Sequence, residues 1–391
     1  MAEHARRILK IGFFFTLLVA GGCQTAPVAN LKPGERPNIE TTEAGLWMQA
    51  DRAEKKIQRS GNLVKHAGIN RYVRSIVCRL SPDYCEQIRV YIVDKPGFNA
   101  SMTPNGMMIV QSGLMLRAQN EAQLAFVLGH EMAHFIRRHT LQRWQTVKDT
   151  TGFLTIVSIA LGASGLGGAS PMVGLMATGG IFANSRDNER EADGLGLAMI
   201  VKAGYEPQEA SKVWKHLLAE RRAMEDADIG QSFFSTHPGS EERMETLSNL
   251  AKTIPGAEQA KNTNLTAFIE AVGPHRDHWL ERELRLGKLD RTEVVINNLL
   301  QQSKDLGVLH FYKGELYRKR NTESDFEKAI EAYSKALTYP DSPPKTHRAL
   351  GFIYRKRGET NKAHDSLNDY LKLQPRADDH AMIRHYLEQS K

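Results

Sequence analysis

The sequence predicts a mainly α protein with one small antiparallel β-sheet, divided into a sheet-bearing N-terminal unit and a C-terminal unit of helices alone. Three observations predict this. Strict apolar/polar alternation is confined to a stretch near residues 87–116, apolar residues elsewhere recur every three or four positions, and a polar break follows Leu250. Of the 391 residues, 41% are hydrophobic and 25% charged, which excludes a wholly disordered chain and a many-span membrane protein. The formal net charge of +7 favours anionic surfaces without demanding nucleic acid, and none is expected as a partner.

Residues 1–22 have a basic start (Arg6, Arg7, Lys10), an apolar run from Ile11 to Ala20 too short to span a bilayer, and the small pair Gly21-Gly22. This is the pattern of a signal peptide. Leu18-Val19-Ala20-Gly21-Gly22-Cys23 resembles a bacterial lipobox, which implies lipidation of Cys23; Gln24 in place of Asp implies the outer membrane. Residues 23–44, with Pro27, Pro33, Gly34 and Pro37, read as a flexible tether, and the first folded unit is expected over 45–250. Cys78 and Cys85 flank a turn-rich stretch, so in an oxidising compartment a disulfide is expected, with two buried thiols as the alternative.

Ile88, Val90 and Ile92 alternate with Arg89 and Tyr91, and Asp94-Lys95-Pro96-Gly97 and Thr103-Pro104-Asn105-Gly106 mark turns before Met107-Met108-Ile109-Val110. The strand from Met107 to Gln111 is expected to offer its edge to an extended substrate. From Asn120 the spacing becomes helical, through Leu124, Phe126, Val127 and Leu128.

That helix carries His130-Glu131-Met132-Ala133-His134, an HExxH pattern. Residues four apart share a helix face, so both imidazoles can bind one zinc ion while Glu131 stands beside it as a base. A third ligand is needed. The form with a histidine six residues after the second fails, because Thr140 holds that place and Arg137 the glycine position. His139 is no substitute, because five residues along a helix turn it about 140° off the ligand face. Downstream, Glu189 and Asp193 are four apart and share a face from which Glu191 turns away; one carboxylate can bind zinc while the other accepts a hydrogen bond from a ligand imidazole.

His130-Glu131-x-x-His134 followed by Glu189-x-x-x-Asp193 resembles the zinc metallopeptidases that include the HtpX-like proteases and the CAAX prenyl proteases. The resemblance runs roughly from Trp47 to Leu250, through Asn99-Ala100, Gly113-Leu114 and Ser235-Thr236-His237-Pro238 with Arg243. It implies one zinc ion per chain held by His130, His134 and Glu189, with Asp193 behind a ligand imidazole and His237 and Arg243 near the active site. It also implies endopeptidase chemistry on proteins, often damaged or misassembled envelope proteins. Three protein ligands leave a place for water, whose proton Glu131 takes as general base. His237 is a candidate to stabilise the oxyanion or to occupy the open position in a resting state, against a plain loop cap before Pro238. Arg243 is a candidate to bind a substrate carbonyl, against simple pairing with a carboxylate.

Residues 150–185 contain no charged side chain and many glycines, and read as two short apolar helices over the cleft, with a membrane-inserting hairpin as the rival. A linker is expected over 251–273 and a helical repeat unit over 274–391. Leu350-Gly351, Tyr354, Gly358, Ala363, Leu367 and Pro375 fall at tetratricopeptide offsets; Gly314, Tyr317, Ala329, Tyr333 and Ala336 fit a preceding repeat with about three extra residues, and helices over 279–302 add a degenerate one. Arg318-Lys319-Arg320 and Arg355-Lys356-Arg357 read as solvated faces. A metallopeptidase domain followed by such repeats resembles the family's periplasmic members that serve β-barrel assembly. This implies protein substrates, docking of the repeats on the outer-membrane β-barrel assembly machinery, and a periplasmic protein anchored by lipid to the outer membrane. A chaperone or scaffold with secondary proteolysis is the competing expectation.

Overall fold

Helix α4 (Glu121–Ile136) organises the N-terminal unit because it is apolar on nearly all sides and buried along almost its whole length. Asn120 starts it, its side chain accepting a hydrogen bond from the Gln123 amide at 3.0 Å. The structure, a computed structural model, describes residues 28–150, 185–224, 237 and 240–389. The signal segment, Cys23, the apolar stretch 151–184, Ser235-Thr236 and Pro238 lie outside the described residues.

Before α4 come α1 (Thr42–Gln58), α2 (Ala67–Leu80), strands β1 (Arg89–Val93), β2 (Ala100–Met102) and β3 (Met107–Gln111), and α3 (Ser112–Arg117). The sheet is small and three-stranded, but it is mixed where an antiparallel one was expected. Its order is β1-β3-β2, with β3 parallel to β1 and antiparallel to β2. The reason lies in the connection after β1, which crosses the end of β3. Gly113 and Gln111 donate backbone hydrogen bonds to Lys95 and Asn99 at 2.9 and 3.0 Å. Only glycine fits at 113, where a Cβ would lie 2.2 Å from the Pro96 carbonyl oxygen. With β3 in the middle, the strand expected to present an edge has none to offer. That edge belongs to β2, whose outer side has no backbone partner among the described residues.

Glu54 fastens α1 to the sheet: it accepts from Arg89 at 2.6 Å twice, from Tyr91 at 2.8 Å and from Asn105 at 2.9 Å. The expected tether ends earlier than residue 44. Leu31 is 2% exposed and its amide donates to the Ile136 carbonyl at 2.8 Å, and Gly34 and Glu35 bond Gln87, so residues 29–35 are fastened to the body. A disulfide joins Cys78 at the end of α2 to Cys85, with Cα atoms 4.6 Å apart.

Helices α5 (His139–Thr150), α6 (Arg186–Lys202), α7 (Glu209–Arg222) and α8 (Ser240–Thr253) complete this unit among the described residues. Where a linker over 251–273 was expected, α8 continues to Thr253 and α9 (Leu265–Arg285) runs straight through Pro274. Between them Asn262 bonds Gly204 and Glu206, and Thr263 accepts from Glu121, all at 3.1 Å, so the segment is stitched to the first unit.

The two units also share one core. Trp279 and Leu280 of α9 pack into the same buried cluster as α4 and the following helices. Buried Arg117 donates to Glu220 and to Glu283 of α9 at 2.8 Å each, and Gln119 donates to the Asn298 carbonyl at 3.0 Å. A buried cation needs such partners, because stranding it costs several kcal/mol.

Beyond α9 and α10 (Leu289–Leu300), helices pair into hairpins: α11 (Leu306–Arg320) with α12 (Asp325–Ala336), and α13 (Lys345–Lys356) with α14 (Thr360–Leu373), followed by α15 (His380–Gln389). Glycine sets the close approach. A Cβ on Gly314 would lie 2.5 Å from the Tyr333 ring, and one on Gly351 would lie 2.6 Å from Leu367. The extra residues after Tyr317 extend α11 to a left-handed Asn321, which closes it. No helix among the described residues is long and apolar enough to cross a membrane.

Candidate metal centre

The centre forms where α6 crosses α4 at two glycines. A Cβ on Gly196 would lie 2.9 Å from the His130 amide nitrogen, and one on Gly129 would lie 3.3 Å from the Gly196 carbonyl oxygen. Backbones this close bring the start of α6 over the HExxH face. Ser185 caps α6, accepting from the Asn188 amide at 3.1 Å, and the first turns then deliver Glu189 and Asp193 inward.

His130, His134, Glu189 and His237 each offer a ligand atom within 4.8 Å of every other, and all four are buried. The two Nε2 atoms of His130 and His134 are 3.0 Å apart and stand 3.4 and 3.3 Å from the Glu189 oxygens. His237 Nδ1 lies 3.0 Å from both Glu189 oxygens and 3.2 Å from His130 Nε2. A tetrahedral ion with bonds of about 2.0–2.1 Å needs ligand–ligand edges of roughly 3.3 Å, so this donor set fits one.

The outward nitrogens are occupied, which is why the Nε2 atoms face inward. Asp193 Oδ1 lies 3.0 Å from His130 Nδ1, and Arg243 grips Asp193 at 2.7 and 2.6 Å. Arg243 also reaches Glu189 at 2.6 Å while its guanidinium stacks 4.1 Å over the Trp214 ring. Of the two roles expected for Arg243, the geometry shows carboxylate pairing. Glu131, buried beside the centre, lies 3.3 Å from His237 Nε2.

The electrostatics suit a cation. Burial raises the Glu189 carboxyl, but the charge on His237 and bonds from His130 and His134 outweigh it and hold the group well below the usual range. Burial pushes His134 down to about 4, the neutral form a ligand needs. Burial also lowers His237, but Glu189 and Glu131 overcome it and push the ring up to about 9. The carboxylates thus demand positive charge at this point.

Two residues set aside on sequence grounds join the site. Arg138 adopts φ 57°, a left-handed conformation that breaks the helix after Ile136 and turns His139 back. His139 Nδ1 then sits 2.7 Å from His134 Nδ1, and its Nε2 is 2.9 Å from Glu191. The angular exclusion of His139 assumed a straight helix. The Arg137-Arg138 pair carried no mark of a left-handed residue, which is usually glycine or asparagine.

Residues 65–251 match the model of peptidase family M48. The chain is 28% identical over 267 residues to the beta-barrel assembly-enhancing protease of Escherichia coli K12, covering 63% of this chain and 54% of that protein. It is 29% identical over 174 residues to the mitochondrial metalloendopeptidase OMA1 of Saccharomyces cerevisiae, covering 44% of this chain and 48% of that protein. A like similarity, 29% over 175 residues, links it to OMA1 of Schizosaccharomyces pombe. The chain thus spans about half the length of these relatives. All four converging side chains fall inside the matched segment, residues 65–251, which is similar to peptidase family M48.

Proposed function

We propose that the protein is a zinc-dependent metalloendopeptidase that cleaves misfolded or misassembled proteins of the bacterial envelope. The observation that carries this reading is the convergence of His130, His134 and Glu189 on one point with buried Glu131 beside it. Two imidazoles and a carboxylate are the donor set of catalytic zinc sites, and zinc bound there would acidify a water and polarise a scissile carbonyl. Glu131 takes the proton from that water and hands it to the leaving amine. Asp193 and Arg243 hold His130 and Glu189 in place. His237, 3.0 Å from Glu189 and 3.3 Å from Glu131, would have to give way for a water to reach the centre, and it is the candidate to stabilise the oxyanion. The β2 edge, close to α4, pairs with an extended substrate backbone.

Similarity to bacterial beta-barrel assembly-enhancing proteases supports an envelope role and β-barrel assembly as its setting. With them go export by the signal segment, a lipid anchor at Cys23, and docking of the tetratricopeptide-like hairpins on the outer-membrane assembly machinery. The test is metal analysis of the purified chain together with cleavage of an unstructured protein, wild type against Glu131→Gln. Stoichiometric zinc and cleavage lost in the variant support the reading. Absence of zinc and cleavage would instead leave a docking scaffold.

A further inference from the structure

We propose that His139, backed by Glu191, is the positioning residue that fixes the tautomer and orientation of His134 for metal binding; this rests on the metal-centre reading above. His134 Nδ1 and His139 Nδ1 are 2.7 Å apart, so one donates to the other. If His139 donated, the proton of a neutral His134 would sit on Nε2, the atom that faces His130 and Glu189, and His134 could not ligate. If His134 donates from Nδ1, its Nε2 lone pair points into the centre. His139 must then accept at Nδ1 and carry its own proton on Nε2. The next contact requires that arrangement: His139 Nε2 lies 2.9 Å from Glu191 Oε2, and a carboxylate can only accept.

The chain of donors therefore runs one way, from His134 through His139 to Glu191, whose other oxygen pairs with Arg137 at 3.0 Å. His139 is 0% exposed, so water does not take its place. The arrangement matches that of His130, whose Nδ1 faces Asp193 directly. Among the described residues no carboxylate bonds His134 Nδ1 directly, and His139 extends its contact by one ring to Glu191 near the surface. Partners of this kind tune metal affinity by about 10- to 100-fold.

The experiment measures zinc affinity by chelator competition and the visible spectrum of the cobalt-substituted full chain. It uses wild type, His139→Phe, His139→Asn and Glu191→Ala, with thermal unfolding as a control. His139→Phe keeps the volume without the acceptor, and its affinity should fall about 10- to 100-fold with a changed cobalt spectrum. His139→Asn places an amide oxygen near the position of Nδ1 and should recover most of the affinity. Glu191→Ala, at a partly exposed position, should weaken binding several-fold with unfolding unchanged, so the proposal stays testable even if a His139 variant fails to fold. Wild-type affinity and spectrum in Glu191→Ala, or equal losses in His139→Phe and His139→Asn, would overturn it. A wild-type chain that binds no metal would overturn the metal-centre reading itself, a result distinct from these.

Discussion

Gly196 of α6 lies against His130 of α4 so closely that a single added methyl would sit 2.9 Å from the His130 backbone nitrogen. Helix spacing and ligand geometry are thereby one quantity. Gly196→Ala must push α6 outward and carry Glu189 and Asp193 away from the imidazoles. Overpacking of this kind costs about 1–3 kcal/mol, and the expected result is a lower unfolding temperature with substoichiometric metal. Gly129→Ala, where the approach is 3.3 Å, should be milder. Metal content and thermal melts of both variants check this.

Glu131, the proposed base, is not among the converging ligand atoms. Glu131→Gln should therefore keep its metal and fold while cleavage of an unstructured protein falls by about 10²- to 10⁴-fold. Glu189→Ala should instead lose the metal together with activity, because it removes a ligand and one of the two carboxylates that hold Arg243. Parallel metal analysis and cleavage rates of the two variants separate base from ligand.

Truncation at Pro274 should not yield a working protease. The cut falls inside α9 and removes Trp279, Leu280 and Glu283, leaving apolar surface bare and buried Arg117 short of one carboxylate. Losing one partner of a buried pair alone costs about 3–5 kcal/mol. The truncated chain is expected to aggregate and lose metal, which size-exclusion chromatography and metal analysis would show. A folded, metal-bound product would refute the shared core.

Glu54 predicts a pH dependence away from the centre. Burial raises its carboxyl, but Arg89, Tyr91 and Asn105 outweigh that and hold it below the usual range. A depressed folded-state value stabilises the fold above the unfolded pKa, and that contribution is lost as pH falls through the folded value. Glu54→Gln should cost roughly 1–2 kcal/mol at neutral pH. The difference in unfolding temperature between the variant and wild type should narrow below about pH 4.5.

What the sequence by itself determined is the local part of this protein. The spacing His130-x-x-x-His134 on an apolar helical stretch, the pair Glu189 and Asp193 on one helix face, the small sheet near residues 88–111 and the glycines of the paired C-terminal helices all follow from periodicities within a few turns of chain. Tertiary structure decided what depends on the path between elements. The crossing over Gly113 put β3 at the centre of a mixed sheet, and Arg117 with Glu283 merged two expected units into one core. The left-handed turn at Arg138 folded His139 behind His134; that residue is pinned by Glu35 and Glu43, about a hundred positions upstream. A pattern of apolar and polar residues records which face of an element is buried. It does not record which distant side chain makes an unfavourable backbone turn worth adopting, and that turn placed the last residue of the site.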